Sequence, residues 1–316
     1  MKVMITGGAG FIGSNLADRL LSHGDSVVVV DNFNDYYDPA IKEANVGAHC
    51  GNPNYRLYRV DIENAAALAK VFDDDPVDAV VHLAARAGVR PSIESPAAYM
   101  RTNVIGTVNV LDQMASHGIG KLVFASSSSV YGNCRAESFS EDLKVTEPIS
   151  PYAASKSACE QICYTYHHLY GMSVVALRFF TVYGPRQRPD LAIRKFVEAI
   201  ESGKPITMFG DGTTRRDYTF ISDIVDGICA AIQYEGRGYE IINLGGGDPV
   251  TLRRMISTIE SVLGKSAIIQ ACPMQPGDVD KTVCDWSKAK RLLGYSPSVS
   301  FEDGIWAFVK WRSSQW

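Results

Sequence analysis

The chain has 316 residues, of which 46% are hydrophobic, and a formal net charge of −4. This length and apolar content suffice for a substantial core in one large domain or two intimate ones. The sequence has no run of clustered Lys and Arg, so we expect no nucleic acid partner. No apolar run approaches the ~18 residues that predict a membrane span, so we expect no membrane partner.

The seven cysteines show neither a CxxC pair nor the spacing of metal ligands, so no metal site is predicted. Scattered, unpaired cysteines are typical of a reducing compartment. The chain opens directly on a predicted strand, without the segments of a signal peptide. The sequence therefore predicts a soluble, cytoplasmic protein.

Strand-length apolar runs alternate with helix-length amphipathic stretches through the first half of the chain. The predicted strands are residues 2–6, 26–31, 55–61, 79–83, 121–126 and 174–180. The predicted helices include residues 14–22, 65–73, 95–116 and 153–170. Strands rich in Val, Ile and Leu that alternate with helices predict an α/β fold of the doubly wound, parallel-sheet Rossmann type.

After about residue 180 the pattern changes to short elements between loops rich in Gly and Pro. We therefore expect a smaller C-terminal α/β substrate lobe that is formed by two separate segments. The expected Rossmann domain is residues 1–178 plus roughly 218–244, and the expected second lobe is residues 179–217 and 245–316.

A glycine-rich loop follows the first predicted strand and opens the first helix. Its glycines are Gly7, Gly10 and Gly13, and Phe11 and Ile12 lie between the last two. Such glycines permit a tight turn, close approach of the backbone to a pyrophosphate, and close packing of helix on strand. Backbone amides at the helix N-terminus then face the phosphates. The strand–turn–helix context predicts a dinucleotide site.

An acidic residue, Asp31, closes the second predicted strand. A carboxylate about 20 residues after the glycine loop can bind both ribose hydroxyls of a dinucleotide. Because it would repel a 2′-phosphate, we expect NAD rather than NADP. Asn32 and Asn34 follow Asp31 and are further candidates for the cofactor site. Asp61 and Ile62 end the third predicted strand, where they either cover the adenine of the cofactor or are an ordinary strand end.

Tyr152 and Lys156 are four residues apart, so a helix places both on one face. An ammonium beside a phenol stabilises the phenolate, which lets the tyrosine act as general base near neutral pH. Upstream, a serine run comprises Ser126, Ser127, Ser128 and Ser129. It ends a predicted strand at the carboxyl edge of the sheet, where ligands bind in such folds. A polar loop is the alternative for this run taken alone.

Together with His82-Leu83-Ala84-Ala85, these motifs resemble the extended short-chain dehydrogenase/reductase family. The resemblance runs through the whole chain, including residues 215–218 and 276–278. It implies that Tyr152 and Lys156 are the catalytic pair and that Ser127 polarises the substrate. It further implies that the cofactor site includes Leu83, Ala84, Ala85, Ser126 and Asn103, the last as a helix-kinking residue.

Differences between this sequence and individual members of the family reduce the number of reactions that it is expected to catalyse. The 4,6-dehydratases carry an Asp-Glu pair where this chain has Ser128 and Ser129, and UDP-glucuronate decarboxylases carry Glu at the second position. Reductases and synthases remain alternatives, but many of them bind NADPH, which Asp31 disfavours. These differences favour an epimerase.

Residues 31–39, 87–90, 179–185, 188–192 and 274–278 are similar to UDP-glucuronate 4-epimerases in particular. Galactose-type 4-epimerases usually have Asn in place of Thr181 and Arg in place of Gln275. The resemblance implies interconversion of UDP-glucuronate and UDP-galacturonate through a transient 4-keto sugar, with tightly bound NAD. A 4-epimerase of UDP-glucose or UDP-N-acetylglucosamine, an NAD-dependent sugar-nucleotide dehydratase and a non-catalytic NAD-binding protein remain alternatives.

We expect the hydroxyls of Ser127, Ser128 and Ser129 to hold the glucuronate carboxylate in an orientation that resists decarboxylation, with the charge of Arg188 nearby. By resemblance, Arg216 binds the diphosphate and Asp278 the uridine ribose. Further candidates for the substrate are Arg90, Thr181, Ala192, Lys195, Phe209 and Tyr218. For Phe209, simple packing in the core is as good an interpretation as stacking on the base. Arg86 and Arg90 either face phosphates or are solvated charges on a loop. The resemblance also implies a homodimer formed by helices 95–116 and 153–170.

Overall fold

The computed structural model describes residues 1–273 and 279–314. The strands are β1 (Lys2–Thr6), β2 (Ser26–Val30), β3 (Tyr55–Tyr58), β4 (Ala79–His82), β5 (Lys121–Ser127), β6 (Ser173–Phe179), β7 (Thr181–Tyr183), β8 (Pro205–Phe209), β9 (Arg215–Phe220), β10 (Tyr239–Leu244), β11 (Pro249–Thr251) and β12 (Ile268–Cys272). The α-helices are α1 (Phe11–Ser22), α2 (Pro39–Gly47), α3 (Ala65–Asp74), α4 (Val89–Glu94), α5 (Pro96–Tyr99), α6 (Gly106–Ser116), α7 (Pro151–Tyr170), α8 (Ala192–Glu201), α9 (Ile221–Gln233), α10 (Leu252–Leu263), α11 (Ser287–Leu293) and α12 (Phe301–Ser313).

A parallel sheet lies at the centre of the molecule. In the described residues it has seven strands in the order β10-β6-β5-β4-β1-β2-β3. Valines 27 to 30 of β2 are all buried because helices cover both faces of the sheet. One face packs on α1 and α9, and the other packs on α3, α6 and α7. The predicted doubly wound α/β fold is therefore confirmed.

A smaller group of elements packs beyond the carboxyl edge of this sheet. Within residues 1–273 and 279–314 it contains a three-stranded sheet, β11-β9-β7, and a two-stranded sheet, β12-β8. Its apolar core is formed by side chains from α8, α10 and α12, such as Phe196, Ile256 and Phe308. We propose that residues 179–217 and 245–316 form this second lobe.

The predicted helix 95–116 is interrupted in the structure. It consists of α5, a π-helical turn at Met100–Ile105 and then α6. The wider turn brings Asn103 inward, where its side chain is almost fully buried. None of the described helices is long and apolar enough to cross a bilayer.

Candidate functional site

The loop between β1 and α1 is a tight turn that requires glycine at positions 7 and 13. The amide of Gly7 donates to the carbonyl oxygen of Val30 at 2.7 Å, and the amide of Gly10 donates to that of Gly7 at 3.1 Å. Gly7 has a φ of +71°, in the left-handed region that favours glycine. A Cβ on Gly13 would lie 2.4 Å from the carbonyl oxygen of Gly7. The loop therefore packs too closely on itself and on its neighbours to accept side chains at Gly7 and Gly13.

A cleft lies along this loop at the carboxyl ends of the parallel strands. The predicted cofactor residues that line it are Gly7, Gly10, Phe11, Ile12, Gly13, Asp31, Asn32, Asn34, Ile62, Leu83, Ala84, Ala85, Ser126, Tyr152 and Lys156. Arg86 lines it as well. Asp61 does not line the cleft, but its carboxylate accepts a 2.8 Å hydrogen bond from the side chain of Asn32. The glycine loop, the acidic strand end and the Tyr–Lys pair thus meet in one place.

Asp31 is fixed at the rim of this cleft. Its carboxylate accepts hydrogen bonds from the amides of Ala9 at 3.2 Å and Phe33 at 2.9 Å. The buried ammonium of Lys42 lies 3.4 Å from the same carboxylate and also donates to Asn34. Lys42 was not predicted from the sequence, because it lies on α2, a short helix that no pattern indicates.

Other residues that line the cleft were not assigned to a site from the sequence. They are Val30, Tyr36, Tyr37, Val60, Ala87, Thr102, Ala125 and Phe179. Most are apolar or aromatic residues in strands or in the loops that follow them, and their composition carries no distinct signal. Tyr36 and Tyr37 lie in the segment 31–39, whose similarity to one group of epimerases was the signal available for them.

The catalytic candidates Tyr152 and Lys156 lie on the first turns of α7. Ser150 caps this helix, because its hydroxyl accepts a hydrogen bond from the amide of Ala153 at 3.1 Å. The buried ammonium of Lys156 donates to the carbonyl oxygen of Ala125 at 2.7 Å. Both residues line the cleft, so the helix presents a phenol and a fixed positive charge on one face.

Asn103 connects the π-helical turn to its surroundings. Its amide nitrogen donates to the carbonyl oxygen of Arg86 at 3.0 Å and to the hydroxyl of Ser155 at 2.9 Å. Its oxygen accepts from the amide of Arg86 at 2.8 Å. Asn103 therefore joins the loop after β4 to α7 beside the catalytic candidates. It does not itself line the cleft, and its assignment to the cofactor stays a prediction.

His82 lies beneath the cleft and is neutral. Its ring nitrogens lie 2.6 Å from the hydroxyl of Thr6 and 3.0 Å from that of Thr107. Complete burial lowers the pKa of His82 to about 3, and the charge of Lys156 acts in the same direction. Because the ring is tied on both sides, its role is to join β1, β4 and α6.

The serine run continues β5 into a 3₁₀ turn, Ser128–Tyr131. Ser126 donates its hydroxyl to the carboxylate of Glu160 at 2.5 Å. The hydroxyl of Ser127 accepts from the amide of Ser129 at 3.1 Å and caps the turn. Ser128 and Ser129 are half-buried, whereas Tyr131 packs inward against Phe139 and Phe180. The run is an ordered turn rather than a solvated loop.

A second cavity of about 580 Å³ lies in the smaller group of elements. The predicted substrate residues that line it are Arg90, Ala192, Lys195, Phe209, Arg216 and Tyr218. The guanidinium of Arg90 lies 4.7 Å from the ring centroid of Phe209, so this ring faces a cation. Asp190, Phe196 and Thr207 also line the cavity and were not predicted.

The remaining substrate candidates lie elsewhere. Arg188 lines the first cleft and forms two hydrogen bonds, of 2.9 and 2.8 Å, with the carboxylate of Asp190. Its charge is therefore compensated within the protein. Thr181 lies on β7 and lines neither cavity. Asp278 falls outside the described residues. Across the described part of the chain, no cluster of His, Cys, Asp and Glu side chains could hold a metal ion.

Several known proteins are similar to this chain in sequence and fold over nearly its full length. UDP-glucuronate 4-epimerase of Thermodesulfobacterium geofontis is 45% identical over 309 residues, which cover 98% of this chain and 95% of that protein. UDP-glucuronic acid 4-epimerase of Bacillus cereus, solved with UDP-glucuronic acid and NAD, has a TM-score of 0.94 at 38% identity and covers 100% of both chains. UDP-glucose 4-epimerase of Thermotoga maritima, solved with UDP-glucose, has a TM-score of 0.92 at 31% identity and covers 100% of this chain and 99% of its own.

The model of the NAD dependent epimerase/dehydratase family matches residues 3–245. This match and the similarities above confirm the resemblance predicted from the sequence. The chain belongs to the NAD dependent epimerase/dehydratase family.

Proposed function

We propose that this chain is a UDP-glucuronate 4-epimerase, which interconverts UDP-glucuronate and UDP-galacturonate with bound NAD. One observation carries the proposal: Tyr152 and Lys156 line the same cleft as the glycine loop and Asp31. The full-length similarity to UDP-glucuronate 4-epimerases of T. geofontis and B. cereus supports this choice of sugar.

The residues of the first cleft fit NAD. Gly7, Gly10 and Gly13 line the cleft without side chains, and a glycine loop of this kind lets a pyrophosphate approach the backbone. The Asp31 carboxylate is suited to ribose hydroxyls, and Ile62 with Val60 forms an apolar wall suited to a base. When bound there, NAD supplies the acceptor and donor of hydride.

In the proposed mechanism, Tyr152 removes the proton of the sugar's C4 hydroxyl. Once the 4-keto sugar has turned over, Tyr152 returns a proton to the C4 oxygen, while C4 regains hydride on its opposite face. Lys156 holds a positive charge beside the phenol, and its bond to the carbonyl oxygen of Ala125 fixes the position of that charge. The hydroxyl of Ser127 accepts from the amide of Ser129, which leaves its own proton to donate to the sugar oxygen. No net oxidation results, because the ketone is reduced again before release.

The intermediate of this reaction is a ketone β to the C6 carboxylate, and such acids lose CO₂ readily. We propose that the hydroxyls of Ser128 and Ser129 hold the carboxylate in an unreactive orientation, beside Ser127, whose one proton goes to the C4 oxygen. They are donors on a fixed turn, and they let the sugar rotate more readily than a bidentate Arg clamp does. If a Ser128→Ala/Ser129→Ala variant epimerised UDP-glucuronate like the parent and released no CO₂, this role would be wrong.

The nucleotide half of the substrate is proposed to occupy the second cavity. Arg216 and Lys195 line it and offer positive charge to a diphosphate, and Phe209 and Tyr218 offer aromatic surface to a base. Asp278 remains the proposed ligand of the uridine ribose.

The test is incubation of the purified protein, without added cofactor, with UDP-glucuronate, UDP-glucose and UDP-N-acetylglucosamine, followed by NMR of the products. We expect UDP-galacturonate from the first sugar. Conversion of UDP-glucose alone would establish the alternative of a neutral-sugar epimerase, for which the T. maritima structure is the precedent. A UDP-pentose with release of CO₂ would contradict the reaction type.

We also propose that the protein is a cytoplasmic homodimer. The seven cysteines are unpaired thiols, which suits a reducing compartment. The exposed side chains of Ile105 on the π-helical turn and of Tyr164 and Leu169 on α7 support an interface along these helices.

A further inference from the structure

Three buried side chains meet beneath the first cleft. Ser126 on β5 donates to Glu160 on α7 at 2.5 Å. Arg178 on β6 donates to both oxygens of the same carboxylate, at 2.8 and 2.7 Å. Each of the three residues is at most 3% exposed. A dry carboxylate thus receives one hydroxyl and a bidentate guanidinium, which is the most directional pairing available to it.

The position of this cluster relates it to the catalytic candidates. Ser126 and Arg178 are paired in the register of β5 and β6, so Glu160 binds across two neighbouring strands. Lys156 lies one helical turn before Glu160 and bonds the carbonyl oxygen of Ala125, the residue before Ser126. Two successive turns of α7 are therefore attached to two successive residues at the carboxyl end of β5.

Further contacts hold the cluster in place. The guanidinium of Arg178 lies 4.8 Å from the ring centroid of Tyr131, and the hydroxyl of Tyr239 donates to the backbone oxygen of Glu160 at 2.8 Å. Within the described residues, the Nη1 atom of Arg178 has no hydrogen-bond partner. The guanidinium of Arg178 is therefore held mainly by the Glu160 carboxylate. A buried ion pair is by itself weak support for stability. Its geometry points instead to a role in orientation.

We propose that Glu160 is a positioning residue for the reaction. Its carboxylate, held by Arg178 and Ser126, fixes α7 against the end of β5 and so sets where Tyr152 and Lys156 meet the sugar. The inference rests on the proposed function, because it concerns the geometry of that active site. A misplacement of about 1 Å in such a site lowers the rate about 100-fold.

The first test compares Glu160→Gln with a matched control, Asp75→Asn. Asp75 is also a buried carboxylate, which accepts from Lys2 at 2.5 Å and Tyr58 at 2.6 Å at the opposite, amino end of the sheet. We expect both variants to lower Tm. Only Glu160→Gln is expected to lower kcat, by about tenfold to 100-fold with KM unchanged. Equal Tm losses with the parent's kcat in both variants would overturn the proposal.

A second variant guards against misfolding of the first. Glu160→Gln/Arg178→Gln leaves no uncompensated charge, and we expect its Tm to lie above that of Glu160→Gln. Its neutral amides hold the strands less firmly than charged groups, so kcat is expected to stay below the parent's. Full recovery of kcat in this variant would contradict the need for the carboxylate.

Hydrogen exchange separates this inference from the proposed function. In Glu160→Gln we expect faster amide exchange in peptides that cover residues 121–127 and 151–160, whether or not any sugar is converted. Unchanged exchange there would overturn the positioning role. A parent protein that converts none of the three UDP-sugars would instead overturn the proposed function and leave the exchange result to decide on the positioning role.

Discussion

Tyr152 reaches the cleft from the second residue of a helix whose start is fixed by Pro151 and by the hydroxyl of Ser150. Removal of its hydroxyl in Tyr152→Phe takes away the proposed base and leaves the ring in place. We expect kcat to fall about 10²–10⁴-fold, with Tm unchanged. Product NMR and thermal melting measure the two effects.

The matched control is Tyr164→Phe, an exposed tyrosine on the same helix, which is expected to retain the parent's kcat. A Tyr152→Phe variant that retained most of its kcat would contradict the assignment of the base.

The pair of Asp31 and Lys42 places a cation beside the proposed ribose site. In Asp31→Asn the carboxylate that repels a 2′-phosphate is gone, while the buried ammonium of Lys42 remains. We therefore expect affinity for NADP⁺ to rise relative to NAD⁺ by about tenfold, or about 1.4 kcal/mol. Calorimetric titration of cofactor-free protein with each dinucleotide measures this ratio.

The control is the Asp31→Asn/Lys42→Met double variant, in which the gain is expected to be smaller, because the repulsion is still relieved but no cation is left to attract the 2′-phosphate. If the double variant bound NADP⁺ as well as the single one, Lys42 would have no part in cofactor selection.

At the scale of elements, His82 ties the central strands β1 and β4 to α6. Its pKa of about 3 in the folded protein lies below the ~6.5 of an unfolded chain. The unfolded state therefore takes up a proton first as the pH falls. The contribution of His82 to stability is complete above pH ~6.5 and is lost as the pH falls towards 3.

We expect His82 to lower the free energy of unfolding by up to about 1.4 kcal/mol per pH unit across this window. Urea unfolding between pH 6 and pH 4 measures the slope, which should be shallower in His82→Gln. His23→Gln, which changes an exposed histidine after α1, should retain the parent's slope. Equal slopes in all three proteins would show that the buried ring does not couple folding to pH.

The elements that the sequence predicted best are those with a strong local cause. Runs of valine predicted β2 and the glycine pattern predicted the loop after β1, because each depends on residues adjacent in the chain. The ends of strands were less certain: residues 55–61 were expected as a strand, and β3 ends at Tyr58. The break of helix 95–116 into α5, a π-helical turn and α6 was implied at Asn103 by the family resemblance and not by the local pattern, because Asn103 bonds distant residues.

The site could be predicted only as far as its motifs extend. The glycine loop, Asp31 and the Tyr–Lys pair were recognisable because their spacing is local. Lys42 and Glu160 were not, since each acquires its partner only when separate elements pack. Arg188 was expected to bring positive charge near the glucuronate carboxylate, and its pairing with Asp190 depends on a loop conformation that composition does not indicate.

At the scale of the whole molecule, large apolar side chains remain exposed on one pair of packed helical segments. They are Met100, Ile105, Tyr164, Leu169 and Tyr170. Contiguous exposed apolar surface marks interaction sites, and a second copy of the chain is the proposed partner. We expect light scattering after gel filtration to give the mass of two chains for the parent.

Replacement of Ile105 by Glu places a charge in the proposed interface and should yield monomers. Ile268→Glu changes an equally exposed isoleucine on β12 in the smaller group of elements, and it should leave the dimer intact. A parent protein with the mass of one chain would contradict the homodimer.

In the 3₁₀ turn after β5, the residues that hold the backbone in place differ from those that are proposed to determine the reaction. Ser127 caps the turn, and Val130 and Tyr131 anchor it in a buried apolar cluster. Ser128 and Ser129 occupy the two positions between the cap and the anchors. Over evolutionary time, substitutions at these two positions can therefore accumulate at little cost to folding. On the proposed roles of Ser128 and Ser129, a lineage with this backbone changes its reaction through these two codons, while the cofactor cleft and α7 stay under selection.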